Sequence, residues 1–225
     1  MRHLLLCLCG GLLAAAVTAD QQGEARNDGA ALRLPAAQTQ WWRDARVGLF
    51  LHWGLYAIPD EKKKTEWTLF MDRWDLRDYV ALAQSFTAER YDPAAWAQLA
   101  VDAGCRYTVL TTRHHDGFAL WDSPSSHQGF DSVRSAAKRD LVRGYVDAVR
   151  AAGLRVGLYY SPLDWRFPGY FFPEMYRENA EALRDQTYAQ VRELMSGYGA
   201  IDILWYDGGG DEWLGHGGLL FVPGK

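Results

Sequence analysis

Four short apolar runs recur along the chain, and each pair is separated by a stretch with helical periodicity. The runs are Val47 to Leu51 (VGLFL), Tyr107 to Thr112 (YTVLTT), Leu154 to Tyr160 (LRVGLYY) and Ile201 to Tyr206 (IDILWY). They are rich in β-branched and aromatic residues, as strands buried on both faces are. Between the first two, Asp92-Pro93 reads as a capped helix start, with Trp96, Leu99, Ala100 and Ala103 on one face and Gly104 closing it. Leu141, Val142, Tyr145, Val146 and Val149 then line a helix that Gly153 ends. Tyr176, Ala180, Leu183, Val191 and Leu194 mark a longer helix ending near Gly197. Buried strands alternating with amphipathic helices predict an α/β fold with a parallel sheet and helical crossovers.

The long loops follow strands. Residues 53–74 and 113–138 carry many aromatic, histidine and acidic side chains, and chemistry placed at the carboxyl ends of parallel strands is the arrangement of a (β/α)8 barrel. Such a barrel needs eight strands and typically about 250 residues, whereas the pattern here supplies four. The expectation is therefore a partial (β/α)8 TIM barrel, about the first half of the strands. Residues 38–225 would form an incomplete catalytic domain, a fragment whose raw strand edges invite self-association.

The N-terminus reads differently. Arg2 and His3 precede an apolar run from Leu4 to Val17, and small residues lead to Ala19. This is the pattern of a secretory signal peptide over residues 1–19, too short to span a membrane, and it implies a secreted or periplasmic product. Residues 20–37, rich in Gly, Ala, Gln and charge, read as a flexible leader. Cys7 and Cys9 leave with the signal, so Cys105 stands alone as a buried small hydrophobe with no intrachain disulfide. A net charge of -4 with no basic cluster gives no footing for nucleic acid. Ten Trp and twelve Tyr suit either a core or a pocket that stacks on sugar rings.

Candidate chemistry gathers at the four strand ends: His52-Trp53-Gly54 with Glu66-Trp67; Arg113-His114-His115-Asp116-Gly117-Phe118; Tyr159-Tyr160-Ser161-Pro162 with Asp164-Trp165; and Trp205-Tyr206-Asp207-Gly208. Each sets a hydrogen-bonding group beside an aromatic, the combination that sugar hydroxyls and C–H faces require. Adjacent residues of an extended chain face opposite ways, so His114, His115 and Asp116 do not read as a metal site, and no cofactor is expected. The isolated His3, His127 and His216 read as satisfied core histidines. Taken alone, Asp207 reads as a capping or solvated strand-end carboxylate.

In this order, HWG, EW, HHDGF, YYSP…DW and WYDG resemble the α-L-fucosidases of glycoside hydrolase family 29, from about Trp41 to Trp213. The resemblance implies a carbohydrate-metabolising enzyme that releases terminal α-L-fucose from a fucosylated glycan with retention. Asp207 would be the nucleophile attacking the anomeric carbon. His52, His114, His115, Glu66 and Trp67 would grip the fucose hydroxyls. Tyr159 would lie near the nucleophile, with Tyr160 as the alternative one register away, and Trp205 would pack beneath the sugar. The resemblance also places the acid/base carboxyl and an arginine beyond residue 225, so this chain by itself is expected to be weakly active or inactive. Two other readings stay open: a non-catalytic carbohydrate-binding fragment, and another TIM-barrel glycosidase.

Overall fold

The computed structural model describes residues 34–58 and 65–208. The expected signal peptide over residues 1–19, most of the expected leader, His3, His216, Trp213 and the glycines after Gly208 lie outside them. The described residues divide into two units between Gln40 and Trp41. Helix α1 (Ala36–Ala45), which the apolar pattern did not foretell, begins in the first.

The second unit holds four strands among the described residues: β1 (Leu49–Leu51), β2 (Tyr107–Arg113), β3 (Arg155–Tyr160) and β4 (Ile203–Tyr206). They form one parallel sheet in the order β1-β2-β3-β4. The crossovers are helical. The first contains α2 (Thr68–Met71), α3 (Leu76–Ala81) and α4 (Pro93–Asp102), the second α5 (Leu141–Ala151), and the third α6 (Pro168–Phe171) and α7 (Arg177–Gly197). The α/β architecture and the parallel order are as the periodicity predicts.

Alternation along the strands divides the sheet into two faces. Leu110, Val156, Leu158 and Tyr160 join the apolar core that α5 and α7 cover. α5 starts where the Asp140 side chain accepts the Arg143 N–H, and buries all five of its expected apolar positions. Removing each such side chain from water stabilises the fold by roughly 1.5–3 kcal/mol. Tyr145 on this helix also ties two strands together: its hydroxyl pairs with Thr108 Oγ1 at 2.6 Å and with the Gly157 carbonyl at 3.1 Å. Cys105, just before β2, is buried as expected.

Two helix faces differ from the sequence reading. In α4 the buried positions are Ala97 and Ala100, while Leu99 is 61% exposed and Ala103 is exposed too. That helix is apolar on nearly every side, so its period does not choose a face. In α7 three polar residues, Gln186, Thr187 and Gln190, are buried alongside Ala180, Leu183 and Leu194. They serve hydrogen bonds: Gln190 accepts from the Tyr160 hydroxyl and donates to Ser123, and Gln186 donates to Asp164.

Candidate active site

The other face of the sheet carries Phe50, Thr111, Tyr159 and Trp205. Tyr159 sits in register with both Thr111 and Trp205. Two residues past Trp205, Asp207 extends the same row, and its main-chain N–H continues the sheet by donating to the Tyr160 carbonyl. The Tyr159 hydroxyl donates to Asp207 Oδ2 at 2.7 Å. Its ring is 1% exposed, and burial together with the carboxylate it serves keeps the phenol protonated far above its ordinary range. Tyr160 points the opposite way, into the helix-covered core, where its hydroxyl meets Gln190. Of the two tyrosines, the structure puts Tyr159 at the carboxylate. Behind Asp207, Gly208 has a φ of 106°, a conformation that favours glycine, and a Cβ there would also press on Leu163 Cδ1.

His114 and His115 follow β2, whose pairing with β3 shifts register between Thr111 and Arg113. Such a bulge bends a strand and re-aims the residues after it. The result corrects the alternation argument: the two imidazoles do not face opposite ways but lie together, ring centres 4.1 Å apart. Asp116 turns aside, accepting from the Tyr79 hydroxyl at 2.7 Å and from the Phe118 N–H. Both histidines are almost fully buried. Burial, reinforced by repulsion from His115, His52 and Arg113, pushes the imidazole of His114 down to about 2. Burial does the same to His115, which the Asp207 charge partly offsets, leaving it at about 4. Both are neutral at physiological pH, each with one donor and one acceptor nitrogen. His115 Nε2 lies 3.9 Å from Asp207 Oδ2. His114 Nδ1 is buried and has no hydrogen-bond partner among the described residues.

The remaining candidates close around this pair. His52 stacks on Phe50 and meets His114 and Tyr159, each at 5.6 Å between ring centres. Trp67 lies 5.1 Å from His115. Trp205 is 47% exposed and reaches the group through Phe50, with ring centres 5.2 Å apart. Glu66, half-buried, bears electrostatically on Tyr56, whose ring is 5.7 Å from His114. The side chain of Asp207 is 44% exposed, so this mouth is open to a ligand.

Trp53, part of the first motif, turns away and stacks on Tyr91 outside the group. His127 is also a correction: it is exposed on a short turn against Phe167 and is no core residue. Phe50 and Trp165 went unassigned in the sequence. Phe50 lies two residues before His52 and so shares its face, a relation the alternation already contained. Trp165 contacts Trp67 and His115 with ring centres 5.3 and 5.2 Å away.

Beneath the site lies a buried ion-pair cluster. Asp164 accepts from Arg113 and Arg166, each at 2.6 Å. Arg113 also donates to the Ser161 carbonyl and to the Tyr160 hydroxyl. Among the described residues no group of three His, Cys, Asp or Glu side chains is arranged to hold a metal.

A family model described as Alpha-L-fucosidase matches residues 12–216. The tissue α-L-fucosidases of Mus musculus and Homo sapiens are each 33% identical, the former over 187 residues and the latter over 198. The matches cover 77% and 80% of this chain, and each covers 40% of the relative. Among solved structures, α-L-fucosidase isoenzyme 1 from Paenibacillus thiaminolyticus superposes with a TM-score of 0.67 at 41% identity, covering 78% of this chain and 45% of that one. A GH29 α-L-fucosidase from Bacteroides thetaiotaomicron gives 0.70 at 29% identity, covering 85% and 47%. The chain thus spans less than half the length of these relatives, and with a family match running through all of its described residues it belongs to the α-L-fucosidase family.

Proposed function

We propose that this chain forms the nucleophile side of a retaining α-L-fucosidase site, built on the first half of the strands of a (β/α)8 barrel. The observation that carries the reading is Asp207, held by the Tyr159 hydroxyl at 2.7 Å and facing His115 at 3.9 Å. A carboxylate so fixed at a strand end can form a bond to an anomeric carbon and expel the leaving group on the opposite side. The neutral imidazoles beside it, each with one donor and one acceptor nitrogen, match hydroxyl groups. Trp205 and Phe50 offer apolar faces for the C–H side of the ring.

Retention needs a second carboxyl group about 5–5.5 Å from the first. Asp116 and Asp164 are committed to Tyr79 and to the two arginines, Glu66 matches a substrate-binding residue of the family, and on that resemblance the acid/base is assigned to chain outside the described residues. Fucosylated glycans are the substrate class.

Titration with a fucose-shaped iminocyclitol, a kind of inhibitor seen bound in one bacterial fucosidase neighbour, tests the reading. Binding should be saturable, weakened by His114→Gln and by Trp205→Ala, and absent for a glucose-configured analogue. Equal binding of both analogues, or of neither, would overturn it.

A further inference from the structure

Ser161, the first residue past β3, is fully buried and clamped to β2. Its N–H donates to the Arg113 carbonyl at 3.1 Å, and its carbonyl accepts from the Arg113 guanidinium. Its hydroxyl oxygen accepts the Leu163 N–H at 3.1 Å and lies 2.6 Å from His115 Nδ1. The same loop fixes the main chain of His115, whose carbonyl accepts the Trp165 N–H at 2.9 Å. Ring and backbone of His115 are thus both set by residues 161–165.

A neutral imidazole carries its proton on one nitrogen, and the hydrogen bond made by the other decides which. The Ser161 hydroxyl has one proton to give. Among the described residues, His115 Nδ1 is the acceptor it meets. We infer that Ser161 is a positioning residue that donates to Nδ1 and so locks His115 as the Nε2–H tautomer, directed at Asp207. Oδ2 of the carboxylate then faces two donors, the Tyr159 hydroxyl at 2.7 Å and the His115 Nε2–H at 3.9 Å. The second distance is too long for a direct bond, and a sugar hydroxyl placed between them would bridge it. With Oδ2 so engaged, Oδ1 is the oxygen that carries the attacking pair.

The role in catalysis rests on the fucosidase reading, whereas the tautomer does not. Long-range proton–nitrogen correlation spectra of the full chain, labelled with nitrogen-15 histidine, read it directly. The His115 signals are those lost in His115→Gln. In the unsubstituted protein Nδ1 should be pyridine-type and Nε2 pyrrole-type at neutral pH. Ser161→Ala should lose that single-tautomer signature, and Ser161→Thr should keep it. A pyrrole-type Nδ1 in the unsubstituted protein, or a Ser161→Ala spectrum identical to it, overturns the inference. Because the unsubstituted spectrum decides the donor by itself, a variant that fails to fold does not shelter the claim. Failure of the fucosidase reading shows separately, as loss of iminocyclitol binding with the tautomer intact.

Discussion

Asp164→Asn should destabilise the protein more than any other change of equal size near the site. The carboxylate is completely buried and takes five hydrogen bonds: from Arg113 Nη2 at 2.6 Å, from Arg166 Nη2, Nε and N at 2.6, 2.9 and 3.1 Å, and from Gln186 at 3.3 Å. Burial alone would raise its pKa, but Arg166 and Arg113 overcome that and hold the group below the ordinary carboxylate range. Asparagine keeps the shape, removes the charge, and turns an amide N–H₂ toward guanidinium donors. Arg113, fully buried, is left without its anion, and its Nε already lacks a partner among the described residues. Removing one member of a buried pair costs about 3–5 kcal/mol. For a chain of this size each kcal/mol moves Tm by about 2–4 °C, so the drop should be about 6–20 °C. Thermal unfolding followed by far-UV circular dichroism measures it. Glu181→Gln serves as the control, since it breaks only an exposed helical pair with Arg177 and should move Tm by at most about 2 °C. The triple variant Arg113→Met/Asp164→Leu/Arg166→Met should recover part of the loss, because it strands neither of the two guanidinium groups that Asp164 pairs with. A single-variant shift no larger than the control's would refute the reasoning, and would mean that the carbonyls around the arginines suffice.

Acid should unfold the protein through its paired imidazoles. In the unfolded chain they protonate near 6.5, but in the folded state burial holds His115 off until about 4 and His114 until about 2. Protons therefore favour the unfolded state, and stability complete above pH 6.5 falls toward pH 4, by about 3 kcal/mol for His115 alone; denaturant titrations of His115→Gln should show a flatter profile over that window. Gly157→Ala should cost about 1–3 kcal/mol by the same titration, since its Cβ would lie 2.6 Å from Val109 Cγ2 and 2.8 Å from the Thr108 carbonyl; an unchanged midpoint would mean the strands part easily. Tyr159→Phe removes the hydroxyl that orients Asp207, and the misplaced carboxylate should be labelled about tenfold more slowly or worse. Tyr160→Phe, on the far face, should leave the labelling rate alone, and the reverse ranking would shift the assumed register.

The sequence made the sheet legible because its signal is redundant. Buried runs such as LRVGLYY admit few alternatives, and α5 presents five apolar positions at a strict helical period. Strand ends locate loops, so the candidate residues were visible as four clusters. What stayed hidden was set by tertiary contacts. Nothing local announces the bulge at Thr111–Arg113 that swings His114 and His115 together. α4, apolar on nearly all sides, gave no reason to expose Leu99. The buried glutamines of α7 look like surface residues until Tyr160, Ser123 and Asp164 are seen beneath them. Ser161 and Asp164 stood within a recognised motif, yet their partners lie 46 and 51 residues away in the chain.

Asp207 acting as a nucleophile is the central assignment, and covalent trapping tests it most directly. A structural neighbour from Bacteroides thetaiotaomicron was solved as a trapped covalent intermediate with 2-fluoro-fucosyl fluoride. With that reagent an Asp207 oxygen would form the bond to the anomeric carbon as the C–F bond breaks, and fluoride departs without help from an acid. The test is therefore independent of where the acid/base resides. Intact mass spectrometry should find one fluorofucosyl adduct, peptide mapping should place it on Asp207, and Asp207→Asn should abolish it. A folded protein that takes no label, or takes it on Glu66 or another carboxylate, would contradict the account.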